Sequence, residues 1–240
     1  MFPILYQSHD LVLYSYPLMM GVGWGVGYQI FFHHSDLSYG KSQLLFWGLF
    51  ISSWLGSKLM FILTTQGQSS DLIHEVSFWT GGGFVFYGGL IMASVFLLIW
   101  KLARLELGQK IIWNLLLALT LGHAIGRVGC FLAGCCYGEV TEWPWGIELH
   151  GVHRHPTQLI EVLGLFGLAA FLKQSGPAPF SLTLYAVYYG LLRLMVESLR
   201  GDEIRGHWGP LTPSQWISIL LIFIGFGLTL RARQKLFKEK

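Results

Sequence analysis

Seven apolar stretches, each near the length of a membrane crossing, constrain this chain more than any other feature. They cover roughly residues 11–31, 43–63, 84–102, 111–133, 158–173, 180–200 and 216–230. A bilayer core of about 30 Å asks for about 20 apolar residues per helix, and the fifth stretch falls short of that length. Charged residues make up 12% of the 240 and mean hydropathy is +0.52, whereas a soluble domain carries about 25% charged residues. Lipid offers backbone groups no hydrogen-bond partner, so helices must carry the crossings. The expected fold class is therefore all-α: one polytopic membrane bundle of about seven transmembrane helices, a single domain over 1–240. The intervening loops are too short to hold a separate domain, and no internal repeat is evident.

Orientation follows from the basic residues of the short loops, which favour the cytoplasmic side. Assigned to alternate sides, ten Lys and Arg fall on one side: Lys41, Lys101, Arg104, Lys110, Lys173, Arg231, Arg233, Lys235, Lys238 and Lys240. Three fall on the other, Arg154, Arg200 and Arg205, while Lys58, Arg127 and Arg193 lie inside the apolar stretches. This predicts an outer N-terminus and a cytoplasmic C-terminus. No Lys or Arg precedes the first stretch, so it is expected to stay as a membrane helix and not be cleaved as a signal peptide. The formal charge of +3 reflects topology and implies no nucleic-acid partner.

Under that topology, three distant segments meet the outer side: TGGGFVFYGG at 80–89, the stretch from Arg127 to Glu161, and ESLRGDEIRG at 197–206. A charge at mid-helix costs about 2.5–3.5 kcal/mol by insertion scales, so such residues face the bundle interior and have a partner or a task. Arg193 and Glu197, four residues apart, are expected to pair. Lys58 is expected to reach toward the interface, and Arg154 and Arg205 to be solvated. Arg127, between Gly126 and Gly129, reads best as a ligand-binding cation, with a buried ion pair as the other reading. A lipid phosphate is the natural anion at that depth.

Gly81, Gly82, Gly83, Gly88 and Gly89 admit helix packing or anion binding by backbone N–H groups. Cys130, Cys135 and Cys136 lack the separated pairs of a structural zinc site, and adjacent cysteines make a poor disulfide. They read as small buried hydrophobes, with no metal and no cofactor implied. His155 precedes Pro156 at the start of the fifth stretch, which puts Thr157, Gln158 and Glu161 on neighbouring turns of one face. That pattern suits a helix cap, or a proton acceptor with its orienting carboxylate near Arg127.

GRVGCFLAGCCYG at 126–138, then RHPTQLIE at 154–161 and YGLLRLMVESLRGD at 189–202, resemble the bacterial prolipoprotein diacylglyceryl transferases in order and spacing. FVFYGGL at 84–90 and SQWISIL at 214–220 extend the resemblance over most of the chain. It implies transfer of the diacylglyceryl group of phosphatidylglycerol to the lipobox cysteine of a prolipoprotein signal peptide, with release of glycerol phosphate, at the outer leaflet of the bacterial cytoplasmic membrane. Arg127 matches the family's signature arginine, Arg200 its arginine after the sixth helix, and Gly138 and Glu161 match family positions. Cys130 stands where the family commonly has Asn, and Tyr87 where it commonly has His. Proton handling then falls to Tyr87, His123, His155 or Glu161, with His155 and Glu161 first. Arg127, Arg200, His155, Glu161 and Tyr87 are the catalytic candidates. Arg127, Cys130, Gly88, Gly89, Gly138, Gln158 and Arg193 are the substrate-binding ones. The Tyr87 and Cys130 departures leave two further readings open, a transferase with another acceptor and a non-catalytic lipid binder or transporter.

Overall fold

A computed structural model describes residues 1–8, 12–64, 78, 85–201 and 209–238. Gly81, Gly82, Gly83 and Arg205 lie outside these residues. Seven long helices run through the described residues: α1 (Ser15–His34), α2 (Tyr39–Thr64), α3 (Phe86–Leu102), α4 (Gln109–Ala133), α5 (Thr157–Ser175), α6 (Ser181–Glu197) and α7 (Pro213–Lys238). They coincide with the seven apolar stretches. Three contain segments long and apolar enough to cross a membrane on length and composition alone, Tyr39–Leu63, Gln109–Ala133 and Pro213–Arg231. Two short hairpins add strands that hydropathy did not predict: β1 (Ile4–Gln7) with β2 (Val12–Tyr14), and β3 (Ile147–Leu149) with β4 (Val152–Arg154). The first apolar stretch thus begins as strand, and its helix starts only at Ser15.

The chain packs as two compact units, Ser35–Gly108 and the remainder. In the smaller unit α2 and α3 run antiparallel and nearly touch. A Cβ on Gly88 would strike the Gly56 carbonyl, and one on Gly89 would meet Ser57 Oγ at 2.5 Å. Membrane helices gain little from hydrophobic burial against one another, so close backbone approach at small residues supplies the van der Waals contact that joins them. Lys58 does not reach open solvent as expected from its sequence position. Its side chain is buried, and its ammonium donates to the Phe78 carbonyl while lying over the Phe78 ring.

In the larger unit, α4, α5 and α6 enclose a core of Trp113, Leu116, Leu117, Leu165, Leu168, Leu172, Leu192 and Val196. Trp113 Nε1 donates to the Leu172 carbonyl at 2.6 Å, tying α4 to the last turns of α5. Antiparallel α1 lies on α4, where a Cβ on Gly23 would sit 2.8 Å from the Gly122 carbonyl. α7 packs on α6, with Gly190 against Ser218 and Ile222. Outward-facing Leu163, Phe166, Leu191, Phe223 and Phe226 are exposed, while Gln158, Glu161, Arg193 and Glu197 are buried. An apolar exterior around a charged interior is the distribution lipid demands.

The C-terminal end of α4 carries a small β-like cap. Gly138 N–H donates to the His155 carbonyl, Glu139 N–H to Leu199, and Gly201 N–H to Tyr137, so the 137–140 strand is bridged to Arg200 and Arg154 on its two sides. At Gly138 a Cβ would lie 2.5 Å from the His155 carbonyl oxygen and 2.9 Å from that of Leu199. Only glycine fits there. The β3–β4 turn places His150 and Gly151 at φ of 55° and 77°, the left-handed pair a tight hairpin requires.

Candidate active site

Near this cap, side chains from α4 and α6 converge on Glu161 of α5, whose side chain is 1% exposed. Arg127 on α4 brings Nε to 3.0 Å from Glu161 Oε2. That N–H finds no aligned hydrogen-bond acceptor, so the contact is ionic without a straight hydrogen bond. Arg193 on α6 donates through Nη1 to the same Oε2 at 3.2 Å and through Nη2 to Glu197 Oε2 at 2.6 Å. Thr212 Oγ1 donates to Glu197 Oε1 at 2.9 Å, and Arg193 Nη2 also reaches Ser214 Oγ at 3.3 Å. His123 Nε2 stands 3.6 Å from Glu161 Oε1, and the Tyr189 hydroxyl donates to that oxygen at 3.5 Å.

Two guanidiniums and two carboxylates balance in this cluster, which is how such charges survive burial. Their placement has a helical origin. His123 precedes Arg127 by four residues, as Tyr189 precedes Arg193 and Arg193 precedes Glu197, so each pair shares a face. The Arg193–Glu197 pairing expected from spacing is present. Arg127 is held by a carboxylate, the second of the two readings its sequence position allowed, yet its side chain keeps 15% of its surface exposed. Its Nη1 points toward Cys130 Sγ at 3.8 Å. The guanidinium is thus held between Glu161 on its Nε side and Cys130 at Nη1.

The imidazole beside Glu161 is that of His123. His155 sits in the cap, where its Nδ1 is buried without a hydrogen-bond partner and its backbone pairs with Gly138 and Glu139. Gln158 is buried, with Nε2 donating to the Cys135 carbonyl at 2.7 Å, and so braces the loop after α4. Arg200 lies in the cap opposite Gly138. Tyr87, Gly88 and Gly89 belong to the smaller unit: the two glycines are buried against α2, and the Tyr87 side chain lies outside the described set. Arg154, expected to be solvated, instead donates to the Gly138 carbonyl at 3.2 Å and stacks on the Tyr137 ring. Of the three cysteines only Cys130 is buried; Cys136 is partly exposed and Cys135 exposed. The reading of all three as buried hydrophobes is corrected accordingly. Sequence reasoning did not place Tyr189, Thr212 or Ser214 in the site, although Tyr189 carried the i, i+4 signal.

Comparison with known proteins bears on what this cluster serves. The family model described as prolipoprotein diacylglyceryl transferase matches residues 3–231. The chain belongs to the prolipoprotein diacylglyceryl transferase family. It is 30% identical over 237 residues to the phosphatidylglycerol–prolipoprotein diacylglyceryl transferase of Clostridium tetani (strain Massachusetts / E88), covering 93% of this chain and 94% of that protein. It is 32% identical over 246 residues to phosphatidylglycerol–prolipoprotein diacylglyceryl transferase 2 of Clostridium perfringens (strain 13 / Type A), covering 92% of each. It is 32% identical over 206 residues to the phosphatidylglycerol–prolipoprotein diacylglyceryl transferase of Finegoldia magna (strain ATCC 29328 / DSM 20472 / WAL 2508), covering 82% of this chain and 80% of that one. As a diacylglyceryl transferase family member, the chain carries the resemblance block GRVGCFLAGCCYG across the end of α4 and into the cap, with the arginine of that block paired to Glu161.

Proposed function

We propose that the protein transfers the diacylglyceryl group of phosphatidylglycerol to the lipobox cysteine of a prolipoprotein signal peptide. The observation that carries this reading is Arg127, whose guanidinium is oriented by Glu161 inside an apolar bundle while its side chain as a whole keeps 15% of its surface exposed. In the reaction a carbon–sulfur bond forms at the glycerol carbon that bears the phosphate. The carbon–oxygen bond to phosphate breaks, and glycerol phosphate leaves with the electron pair. Negative charge grows on the leaving oxygens, and a preorientated cation in a water-poor site is worth far more there than in water. Arg127 fills that role, with Arg200 in the cap as the second candidate cation. The acceptor thiol must be deprotonated to attack, and its proton passes to the His123–Glu161 pair, whose nearest atoms are 3.6 Å apart. Tyr189 and Arg193 hold Glu161 in place for both tasks. The bundle keeps the acyl chains in lipid while the headgroup lies near the helix ends, so the reacting atoms start close together. In the proposed topology the N-terminus and the cap face outward in the bacterial cytoplasmic membrane, where both phosphatidylglycerol and the signal peptide are available.

The test is to incubate purified protein with phosphatidylglycerol and a lipobox peptide and to seek the thioether-linked diacylglyceryl mass. Product that is absent when the peptide cysteine is replaced by serine is expected. Folded protein that yields none would overturn the reading.

A further inference from the structure

The three cysteines converge on a single point. Their sulfurs lie within 4.8 Å of one another, the one such grouping of potential metal-ligating side chains among the described residues. The convergence is built by the backbone. α4 ends at Ala133, Gly134 turns left-handed at φ 73°, and the Cys135 N–H folds back to donate to the Cys130 carbonyl at 3.1 Å. Cys136 then adopts φ 61°, a conformation that costs a non-glycine residue about 1–2 kcal/mol. Three side chains from the cap and α5 hold this turn by its carbonyls: His150 Nε2 lies 2.7 Å from Gly134 O, Gln158 Nε2 donates to Cys135 O at 2.7 Å, and Thr157 Oγ1 to Cys136 O at 2.9 Å. Thr157 and Gln158 are both buried.

We propose that Cys130, Cys135 and Cys136 form a three-thiolate site for a thiophilic d10 cation of the Cu(I) class. Metal–thiolate bonds of about 2.3 Å in a trigonal plane put sulfurs about 4 Å apart, so the observed spacing needs only a small contraction. Soft thiolates select Cu(I), zinc or iron–sulfur centres, and the latter two favour four ligands. The grouping supplies three sulfurs and no histidine or carboxylate, which suits a trigonal monovalent ion. Binding exchanges three S–H bonds for three metal–sulfur bonds and releases three protons to solvent. The two negative charges left over lie beside Arg127, whose Nη1 is 3.8 Å from Cys130 Sγ. Exposed Cys135 gives the ion a way in, and the braced carbonyls are the outer support that fixes ligand geometry. The site adjoins Arg127, the cation of the proposed transfer, but its test reads metal binding and not transfer activity.

The full chain in detergent micelles is titrated anaerobically with Cu(I) against a chromophoric Cu(I) chelator, then with Zn(II), and the loaded protein is examined by X-ray absorption. One Cu(I) per chain with three sulfur neighbours is expected. Cys130→Ser, Cys135→Ser and Cys136→Ser should each abolish retention against the chelator, and Thr157→Val should weaken it about 10- to 100-fold. Substoichiometric copper, a shell dominated by nitrogen or oxygen, or retention unchanged in the triple serine variant overturns the proposal. So does one zinc held through these sulfurs by protein that does not retain Cu(I). Should a serine variant fail to fold, the sulfur count in wild-type protein decides alone.

Discussion

Removing the Glu161 charge is the sharpest perturbation of the buried cluster. Glu161→Gln conserves volume, so no cavity forms, but Arg127 and Arg193 lose the carboxylate they share at 3.0 and 3.2 Å. Breaking a buried ion pair from one side costs about 3–5 kcal/mol, because the remaining charge is left uncompensated. Arg193 keeps Glu197 at 2.6 Å, so the uncompensated group is chiefly Arg127 and the loss should fall near the low end, about 3 kcal/mol. Arg127→Met leaves Glu161 with Arg193 and should cost less. In the double variant the cluster is again neutral. The double loss should therefore fall short of the summed single losses by more than about 0.5 and up to about 3 kcal/mol, the range of coupling between directly interacting groups. Unfolding free energies from SDS titration in mixed micelles measure all four corners of the cycle. Additivity within about 0.5 kcal/mol would refute the claim that Arg127 and Glu161 form one electrostatic unit.

Two further outcomes test the packing and one the proton path. Gly88→Val forces methyls into the Gly56 carbonyl and should destabilise the α2–α3 pair by about 1–3 kcal/mol, seen as a lower thermal midpoint; an unchanged midpoint contradicts the close approach. Gly138→Val should likewise separate the cap strands at His155 and Leu199, read as faster hydrogen exchange at Glu139 and His155 N–H. His123→Phe, which keeps the packing against Tyr189, should lower transfer turnover about 100- to 10,000-fold if His123 shares the thiol proton. His155→Phe should lower it far less, and the reverse order would return the role to His155.

Residue by residue, what was legible in the sequence follows what is local. Helix positions were legible because apolar length is a one-dimensional property, and the Arg193–Glu197 pair because i, i+4 spacing fixes a face. The start of α1 was not, since Val12–Tyr14 is as apolar as the helix that follows and hydropathy is blind to backbone conformation. The β3–β4 hairpin did leave a trace: His150-Gly151 between IEL and VHR has the form of a two-residue turn with positive φ. Glu161's choice of His123 over His155 could not be read, because it depends on how α4 and α5 pack, with His123 and Glu161 38 positions apart in sequence. Lys58 was misread for the same reason, its acceptor being a backbone carbonyl twenty residues away.

The account rests on Arg127 acting on a phosphate that leaves. Turnover of Arg127→Gln in the thioether assay, normalised to membrane-inserted protein, tests this most directly. A fall of about 100- to 1,000-fold, the cost of losing one preorganised charge-stabilising donor, with insertion intact, is the predicted result. Turnover equal to that of the wild type would contradict it.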